Sequence, residues 1–258
     1  MTTVTLLTDF GSRSPYPAQL KGVLRGLCRA TLVDVTHDIP PHDITQGAFV
    51  LASVAPVFPA GAVHLAVVDP GVGTARRPLA VASGGQFLVG PDNGLLTAAA
   101  RALGEPRSFV IDAARIGRHP IAPTFHGRDL FAPAAAALAG GLPIETLGIP
   151  AGAMVNLPGA PPQRSAGRLL GHVMYKDPFG NLITDIPGAW LGDLPAQPLL
   201  QHPRGRLPIR RARTYGDASG AEVLVLVGSA ATLEIAVNAG SAAEALGLEP
   251  GDQVQISS

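Results

Sequence analysis

Acidic side chains end three short apolar runs in the first half of the chain. The fullest example is Val67-Val68-Asp69-Pro70-Gly71-Val72-Gly73-Thr74-Ala75-Arg76, where an apolar run leads into an acid, a glycine-rich turn and an arginine. The same pattern places Asp9 after Val4–Thr8 and Asp92 after Phe87–Val89. One such ending is typical of an ordinary turn. Three in one domain predict a polar crevice beyond the carboxyl ends of neighbouring strands, where open α/β sheets bind ligands.

A second polar cluster is Thr124-Phe125-His126-Gly127-Arg128-Asp129, which follows a proline-containing loop and precedes an alanine-rich helix. His, Arg and Asp at such a junction are well placed to face a crevice. They also fit a purely local role, in which Asp129 caps the helix, Arg128 pairs with Asp129 and His126 packs nearby. The hexapeptide alone leaves both interpretations open.

The elements that must position these residues alternate between strand and helix, which predicts a largely parallel sheet with helices on its faces. Helices are predicted at Tyr16–Arg29, Thr45–Val54, Gly94–Leu103 and Asp129–Leu138. The predicted strands are Val4–Thr8, Leu32–Val35, Val63–Val68, Leu79–Ala82, Phe87–Val89 and Ser108–Ile111.

The pattern changes near Leu157, and residues 158–167 have the composition of a linker. Beyond it, short β-rich segments without long intervening helices predict a small antiparallel barrel or sandwich. We therefore expect an N-terminal α/β domain over 1–157 and a C-terminal antiparallel β domain over 168–258. The predicted elements there are the strands Arg168–Tyr175, Leu182–Ile186, Pro208–Arg213, Glu222–Val227, Leu233–Val237 and Gln253–Ile256, and one helix, Ser241–Leu246.

Composition narrows the function classes. The 258 residues are 47% hydrophobic, so a substantial core is expected. The 19 basic and 19 acidic side chains balance, which argues against a nucleic-acid or anionic-membrane partner. Cys28 is the only cysteine, so no internal disulfide forms. Without an N-terminal signal or an apolar run long enough to span a membrane, we expect a cytoplasmic protein.

Eight segments in a fixed order resemble one family. They are Leu7–Gly11, Lys21-Gly22, Thr36–Pro41, Val67–Gly73, Gly90–Gly94, Thr124–Asp129, Asp177–Asn181 and Leu233–Ala236. Together they resemble the S-adenosyl-L-methionine (SAM) hydroxide adenosyltransferases, SAM hydrolases that are related to the fluorinase and chlorinase. The resemblance spans nearly the whole chain, and the ordered set is far more specific than any one segment.

This resemblance implies a reaction and the residues that perform it. Water or hydroxide would attack C5′ of the SAM ribose and give adenosine and methionine, with Asp69, Arg76 and His126 as the catalytic set. His126 is expected to accept the proton of the water. The resemblance further implies a Rossmann-like N-terminal domain, a C-terminal β-barrel over 168–258, and a homotrimer with active sites at subunit interfaces. Because methionine leaves as a neutral thioether, we expect no metal and no cofactor. The implied substrate-binding residues are Asp9, Asn93, Asp177, Phe179, Asn181 and Ser229.

Three departures from the family pattern affect binding detail rather than the catalytic set. Pro15 lies in the loop after Asp9, where the family has an acid. Asp185 replaces an asparagine after the C-terminal motif, and Ala231 replaces a glycine near Ser229.

Other functions fit parts of the same sequence. A halogenase would attack the same carbon with chloride or fluoride, but it needs no base at the position of His126. A metal-dependent hydrolase could use Asp9, Asp69, His126 and Asp129, although their spacing matches no strong metal motif. A sensor would bind SAM or a nucleoside without turnover.

Overall fold

The computed structural model describes residues 2–218 and 220–258 and divides the chain into two compact units, Met1–Leu157 and Pro158–Ser258. Each unit has its own hydrophobic core. Within the described residues, no helix is both long and apolar enough to cross a membrane.

One seven-stranded sheet organises the first unit, in the order β2-β1-β3-β5-β4-β6-β7. Its strands are β1 (Thr3–Thr8), β2 (Thr31–Thr36), β3 (Val63–Val67), β4 (Pro78–Ser83), β5 (Gln86–Pro91), β6 (Arg107–Ile111) and β7 (Gly148–Pro150). The pairs within β2-β1-β3-β5 are parallel, as predicted. The remaining pairs are antiparallel, beginning with the β4–β5 hairpin. Gly84 and Gly85 form its two-residue turn, and both have the positive φ that such a tight turn favours.

Helices cover both faces of this sheet. They are α1 (Tyr16–Leu27), α2 (Ile44–Val54), α3 (Thr97–Leu103), α4 (Ala113–Ile116) and α5 (Ala132–Ala139), with 3₁₀ turns at Ala55–Val57 and Ile144–Leu147. Alternate side chains of β1 and β3 contribute to two core clusters, one shared with α1 and α5 and the other with α2 and α3. The predicted helix Asp129–Leu138 is instead a π-helical turn, Gly127–Phe131, that continues into α5.

The second unit is an almost entirely antiparallel β structure, as predicted. Its elements are β8 (Gln163–Ser165), β9 (Arg168–Lys176), β10 (Leu182–Pro187), β11 (Leu199–His202), β12 (Gly205–Pro208), β13 (Arg210–Arg211), β14 (Val223–Val227), β15 (Thr232–Val237), α6 (Ala242–Leu246) and β16 (Gln253–Ser257), with 3₁₀ turns at Gly188–Asp193 and Tyr215–Asp217. The strand order is β12-β11-β16-β9-β10-β15-β14-β13, and β8 pairs with β9.

The two ends of this strand path approach each other. Ile209 N donates to Pro198 O at 2.8 Å and Arg211 N donates to Ala196 O at 2.9 Å, which links the chain around β13 to the residues entering β11. The sheet is therefore nearly barrel-shaped.

Two predicted boundaries in this unit need correction. The predicted strand Pro208–Arg213 is divided between β12 and β13, because Ile209 turns into the core between them. The predicted linker 158–167 contains β8, whose backbone pairs with β9.

Candidate active site

Asp69 and Arg76 form a bidentate ion pair at the carboxyl end of β3. Arg76 Nε lies 2.9 Å from Asp69 Oδ1 and 3.1 Å from Oδ2, and Arg76 Nη2 also donates to Oδ2. The Asp69 and Arg76 side chains are only 5% and 10% exposed. The Arg76 guanidinium also lies 5.1 Å from the centre of the buried Phe131 ring. Such a desolvated pair is held far more rigidly than a surface salt bridge.

The turn that joins this pair depends on glycine. Gly73 has φ +77°, and a Cβ there would lie 2.8 Å from Pro123 O. A larger residue would be strained and would clash with the segment that leads to His126. The close approach brings His126 Nδ1 to 2.8 Å from Arg76 Nη2. The structure therefore brings together the three residues predicted to be catalytic.

The contact with Arg76 determines the tautomer of His126. A guanidinium is only a donor, so Nδ1 must accept and a neutral His126 carries its hydrogen on Nε2. Burial, followed by the charge of Arg76, lowers the pKa of His126, although Asp69 and Asp129 act in the opposite direction. The site therefore favours the neutral ring with an Nε2–H donor.

Asp129 anchors the π turn that presents His126. Its fully buried carboxylate accepts from Arg128 Nε and Nη2, both at 2.7 Å, from Arg118 Nη1 at 3.2 Å and from Ala122 N at 3.0 Å. The Arg128 hydrogen bond, with these other donors, lowers the pKa of Asp129 to about 2. The structure therefore gives Asp129 a local structural role, which was one of the two interpretations of the sequence. Asp129 is the centre of an ion cluster and does not cap the helix.

Asp9 lies at the carboxyl end of β1, half-buried, and its Oδ2 accepts from His42 N at 3.0 Å. The next residue, Phe10, packs edge-on against Tyr16 and Phe125, with ring centres 6.1 and 5.5 Å away. Phe125 immediately precedes His126, so this aromatic cluster ties the loop of Asp9 to that of His126. No local sequence pattern predicts this cluster, since only the fold brings the three rings together.

The third strand end differs from the first two. Asp92 pairs with Arg77, while Asn93 Nδ2 donates to Val68 O at 2.9 Å and its Oδ1 accepts from Leu95 N at 3.2 Å. Both polar atoms of the Asn93 amide are thus engaged with backbone.

The second unit contains a cavity of about 610 Å³ that holds most of its predicted binding residues. It is lined by Asp177, Phe179, Asn181, Tyr215, Val237, Asn238, Ala239, Gly240 and Ser241. Phe179 is exposed by 78% and Tyr215 by 45%, so two aromatic rings face open space. Tyr215 is not predicted from the sequence, because it lies far from the Asp177–Asn181 motif in the chain.

Asp177 closes the turn that carries Phe179. Its Oδ1 accepts from Phe179 N at 2.9 Å and from Asn181 N at 2.8 Å, and its Oδ2 accepts from Asn181 Nδ2 at 2.9 Å. These are the bonds of an Asx turn. The hairpin-turn interpretation of this motif therefore describes its local structure.

Buried Glu234 orients Tyr215, since the phenol donates to Glu234 Oε1 at 2.6 Å. Burial and the nearby Asp177 charge raise the pKa of Glu234, although the Tyr215 hydrogen bond opposes this. The same hydrogen bond is the largest contribution that raises the pKa of Tyr215 to about 12.

Ser229, Ala231 and Asp185, which the sequence also singled out in the second unit, do not line this cavity. Ser229 is exposed in the turn between β14 and β15. Ala231, which replaces a family glycine, has φ +59°. Asp185 Oδ1 accepts from His172 N at 2.7 Å on the neighbouring strand. Among the described residues, no group of three or more His, Cys, Asp or Glu side chains could hold a metal ion.

Comparison with known proteins defines the class to which this fold and site belong. Residues 4–148 match the SAM hydroxide adenosyltransferase N-terminal domain, and residues 171–255 match the C-terminal domain. The chain belongs to the SAM hydroxide adenosyltransferase family.

Individual relatives agree with this assignment. The (R)-S-adenosyl-L-methionine hydrolase of Salinispora tropica is 43% identical over 98% of this chain and 97% of its own length. A fluorinase from Actinopolyspora mzabensis is 26% identical over 98% of this chain and 96% of its own. The crystal structure of a conserved protein of Thermotoga maritima superposes with a TM-score of 0.93 at 34% identity and covers 98% of this chain and 99% of that one.

Proposed function

We propose that this protein hydrolyses (R)-S-adenosyl-L-methionine to adenosine and L-methionine. The observation that carries the proposal is the Asp69–Arg76–His126 cluster, in a chain 43% identical over nearly its full length to an (R)-SAM hydrolase. The prefix describes the configuration of the sulfonium sulfur, because the methionine carbon is already specified as L. The substrate class therefore narrows from SAM, expected from the sequence, to one epimer.

The reaction balances without a cofactor. A water oxygen bonds to C5′ of the ribose, the C5′–S bond breaks, and its electron pair neutralises the sulfonium as methionine leaves as a thioether. One proton of the attacking water passes to solvent. The leaving group is neutral and needs no general acid, so no metal or redox group enters the proposed mechanism.

The triad supplies stabilisation for the nucleophile. With Nδ1 engaged by Arg76, His126 offers its Nε2–H as a donor to a hydroxide-like oxygen, and Arg76 adds positive charge beside it. Asp69 fixes the guanidinium in place. His126 is thus a donor in this proposal, rather than the proton acceptor predicted from the sequence. Charge is neutralised as hydroxide meets the sulfonium, so a buried site favours the reaction more than water does.

Asp9 and the residues of the second-unit cavity are proposed to recognise the substrate. The Asp9 carboxylate can accept hydrogen bonds from both ribose hydroxyls. In the second unit, the exposed Phe179 ring is suited to stacking on adenine, and Asn181 and Tyr215 line the same cavity. Asp177 stays a predicted contact near the methionine amino group, and Ser229 stays a predicted substrate contact. From the family resemblance we also propose that the protein is cytoplasmic and forms a homotrimer with active sites at subunit interfaces. A mass measurement in solution would test the trimer.

The direct test is incubation of the purified protein with each sulfur epimer of SAM, followed by chromatography. We expect adenosine and methionine from the (R) epimer, no dependence on chloride, and activity that survives a chelator. A halogenated nucleoside would assign the protein to the halogenases instead, and binding without turnover would make it a sensor. Arg76→Ala is the negative control.

A further inference from the structure

We propose that Asp92 and Asn93 are positioning residues that hold the Asp69–Arg76 pair in place. They do so by bonding to the chain just before Asp69 and just after Arg76. The proposal rests on the proposed function, since Asp69 and Arg76 form the catalytic pair there. It replaces the expectation that Asn93 contacts the substrate.

Strand order explains why these two residues can act on the pair. Strand β5 lies between β3 and β4 in the sheet. The segment from Asp69 to Arg76 leaves the end of β3 and enters β4, so it arches over the end of β5. Asp92 and Asn93 directly follow β5 and therefore lie beneath this arch.

Asn93 holds the first end of the arch. Its Nδ2 donates to Val68 O at 2.9 Å, and Val68 is the residue before Asp69. Its Oδ1 accepts from Leu95 N at 3.2 Å, which fixes the orientation of the amide. Both bonds require an amide, because a carboxylate would lose the donor and an alcohol could not span both partners.

Asp92 holds the second end. Its N donates to Arg77 O at 2.9 Å, and Arg77 is the residue after Arg76. Its carboxylate, with 3% of the side chain exposed, accepts from Arg77 Nε at 2.8 Å and from Arg77 Nη2. Asp92 and Asn93 together thus fix the chain on both sides of the catalytic pair.

Further hydrogen bonds make the clamp formed by Asp92 and Arg77 rigid. Arg77 Nη1 donates to Ala151 O at 2.6 Å and Nη2 donates to Ala153 O at 2.7 Å. Val155 N donates to the second Asp92 oxygen at 2.8 Å. Buried ionic groups that are satisfied in this way resist displacement.

The expected consequence is a loss of rate rather than of binding. A displacement of about 1 Å at a catalytic group can lower a rate by ~100-fold. We expect Asn93→Ala and Asp92→Asn to lower kcat on (R)-SAM by about tenfold or more, with KM within roughly threefold of wild type. Asn93→Asp keeps the acceptor for Leu95 N but removes the donor to Val68 O. It should show a comparable loss of kcat.

Ser83→Ala is the matched control. Ser83 Oγ donates to Ala100 O at 2.7 Å, so this variant also removes a buried bond from a side chain to a backbone carbonyl. It should lower the Tm about as much as Asn93→Ala does while leaving kcat unchanged. The ¹⁵N–¹H signal of Arg76 Nε, assigned with Arg76→Lys, should move in the Asn93 variants and stay in place in Ser83→Ala.

The outcomes separate this proposal from the proposed function. Wild-type protein that forms no adenosine refutes the function, while the Arg76 Nε signal still tests the clamp. Folded Asn93 variants with wild-type kcat and an unmoved signal overturn the positioning role. A raised KM with unchanged kcat also overturns it, because that result means that Asn93 binds substrate.

Discussion

The Asp69–Arg76 pair in the first unit is almost completely buried, whereas Phe179 in the second unit leaves 78% of its surface exposed. Ion pairs and hydrogen bonds hold the charged groups of Asp69, Arg76 and Asp129 in the first unit. In the second, an Asx turn and the Tyr215–Glu234 bond support aromatic surfaces that stay open. Under the proposed function, the rigid Asp69–Arg76 pair serves the chemical step and the exposed ring of Phe179 serves binding, so substitution of Arg76 should affect kcat and substitution of Phe179 should affect KM.

Removal of Arg76 should have the largest effect. Arg76→Ala takes away the charge beside the nucleophile and leaves Asp69 unpaired, so we expect kcat to fall by about 10³-fold with KM changed much less. Arg107→Ala is the control, because it breaks an exposed ion pair with Glu145 in the same unit. Turnover of (R)-SAM by both variants provides the measurement. If Arg76→Ala raises KM and leaves kcat unchanged, Arg76 acts in binding, and the contrast between the buried pair and the exposed rings is lost.

His126 variants distinguish a donor from a base. The glutamine amide nitrogen lies about where Nε2 lies, so His126→Gln should retain at least tenfold more kcat than His126→Ala if donation matters. A base role predicts that both variants are equally inactive.

The pH profile of the wild-type protein tests the neutral state of His126, which a donor and a base both require. Protonation of His126 would place Nδ1–H against the donor Arg76, so activity should be lost as the pH falls through the pKa of His126. Since burial lowers that pKa, the acid limb of kcat/KM should lie below the ordinary value of 6.5. An acid limb above 6.5, or one unchanged in His126→Gln, would contradict this assignment.

Asp129→Asn should act on stability more than on binding. It weakens three side-chain bonds to Arg118 and Arg128, so we expect the free energy of unfolding to fall by roughly 2 kcal/mol. Asp129 has a pKa of about 2 in the folded protein, against an ordinary 3.8. Its ionised form therefore stabilises the fold above about pH 4, and this contribution is lost as the pH falls towards 2. The difference in Tm from wild type should narrow over that range.

The exposed Asp112→Asn variant is the control for this measurement, because Asp112 only caps α4. A Tm difference for Asp129→Asn that stays constant from pH 5 to about 2 would refute the role of the ionised carboxylate.

Phe179→Ala tests the binding role of the exposed aromatic ring in the second unit. Stacking of a base on an aromatic ring contributes about 1–3 kcal/mol, so KM should rise by roughly tenfold or more while kcat stays within about threefold. Val227→Ala, at another exposed apolar side chain of the second unit, should leave both constants unchanged. A fall in kcat without a rise in KM would assign Phe179 to the chemical step.

The smallest expected effect is at Ala231. Its φ of +59° costs a non-glycine residue about 1 kcal/mol, so Ala231→Gly should raise the free energy of unfolding by roughly 0.5 kcal/mol. Ala230→Gly, which is not among the positive-φ positions, should not be stabilising. Denaturant titration of the two variants would measure the difference. Equal effects at both positions would refute backbone strain at Ala231.

Sequence patterns were sufficient where local chemistry determines structure. Apolar runs that end at Asp9 and Asp69 predicted strand ends at one edge of a sheet, and the family motifs selected Asp69, Arg76 and His126, which the fold brings into contact. Their catalytic role stays a prediction. The antiparallel partner of β5 was not predicted, although Gly84-Gly85 between two apolar runs is a hairpin signal. The Asp92–Arg77 clamp and the pairing of Tyr215 with Glu234 could not be predicted, because each depends on strand order that no single segment encodes.

Hydrolysis of (R)-SAM in H₂¹⁸O, followed by mass spectrometry of both products, tests the central claim most directly. Attack of water on C5′ predicts one ¹⁸O atom in the 5′-hydroxyl of adenosine, no label in methionine, and loss of both products in Arg76→Ala. Label in homoserine together with 5′-methylthioadenosine would show that a different bond breaks, and it would contradict the account.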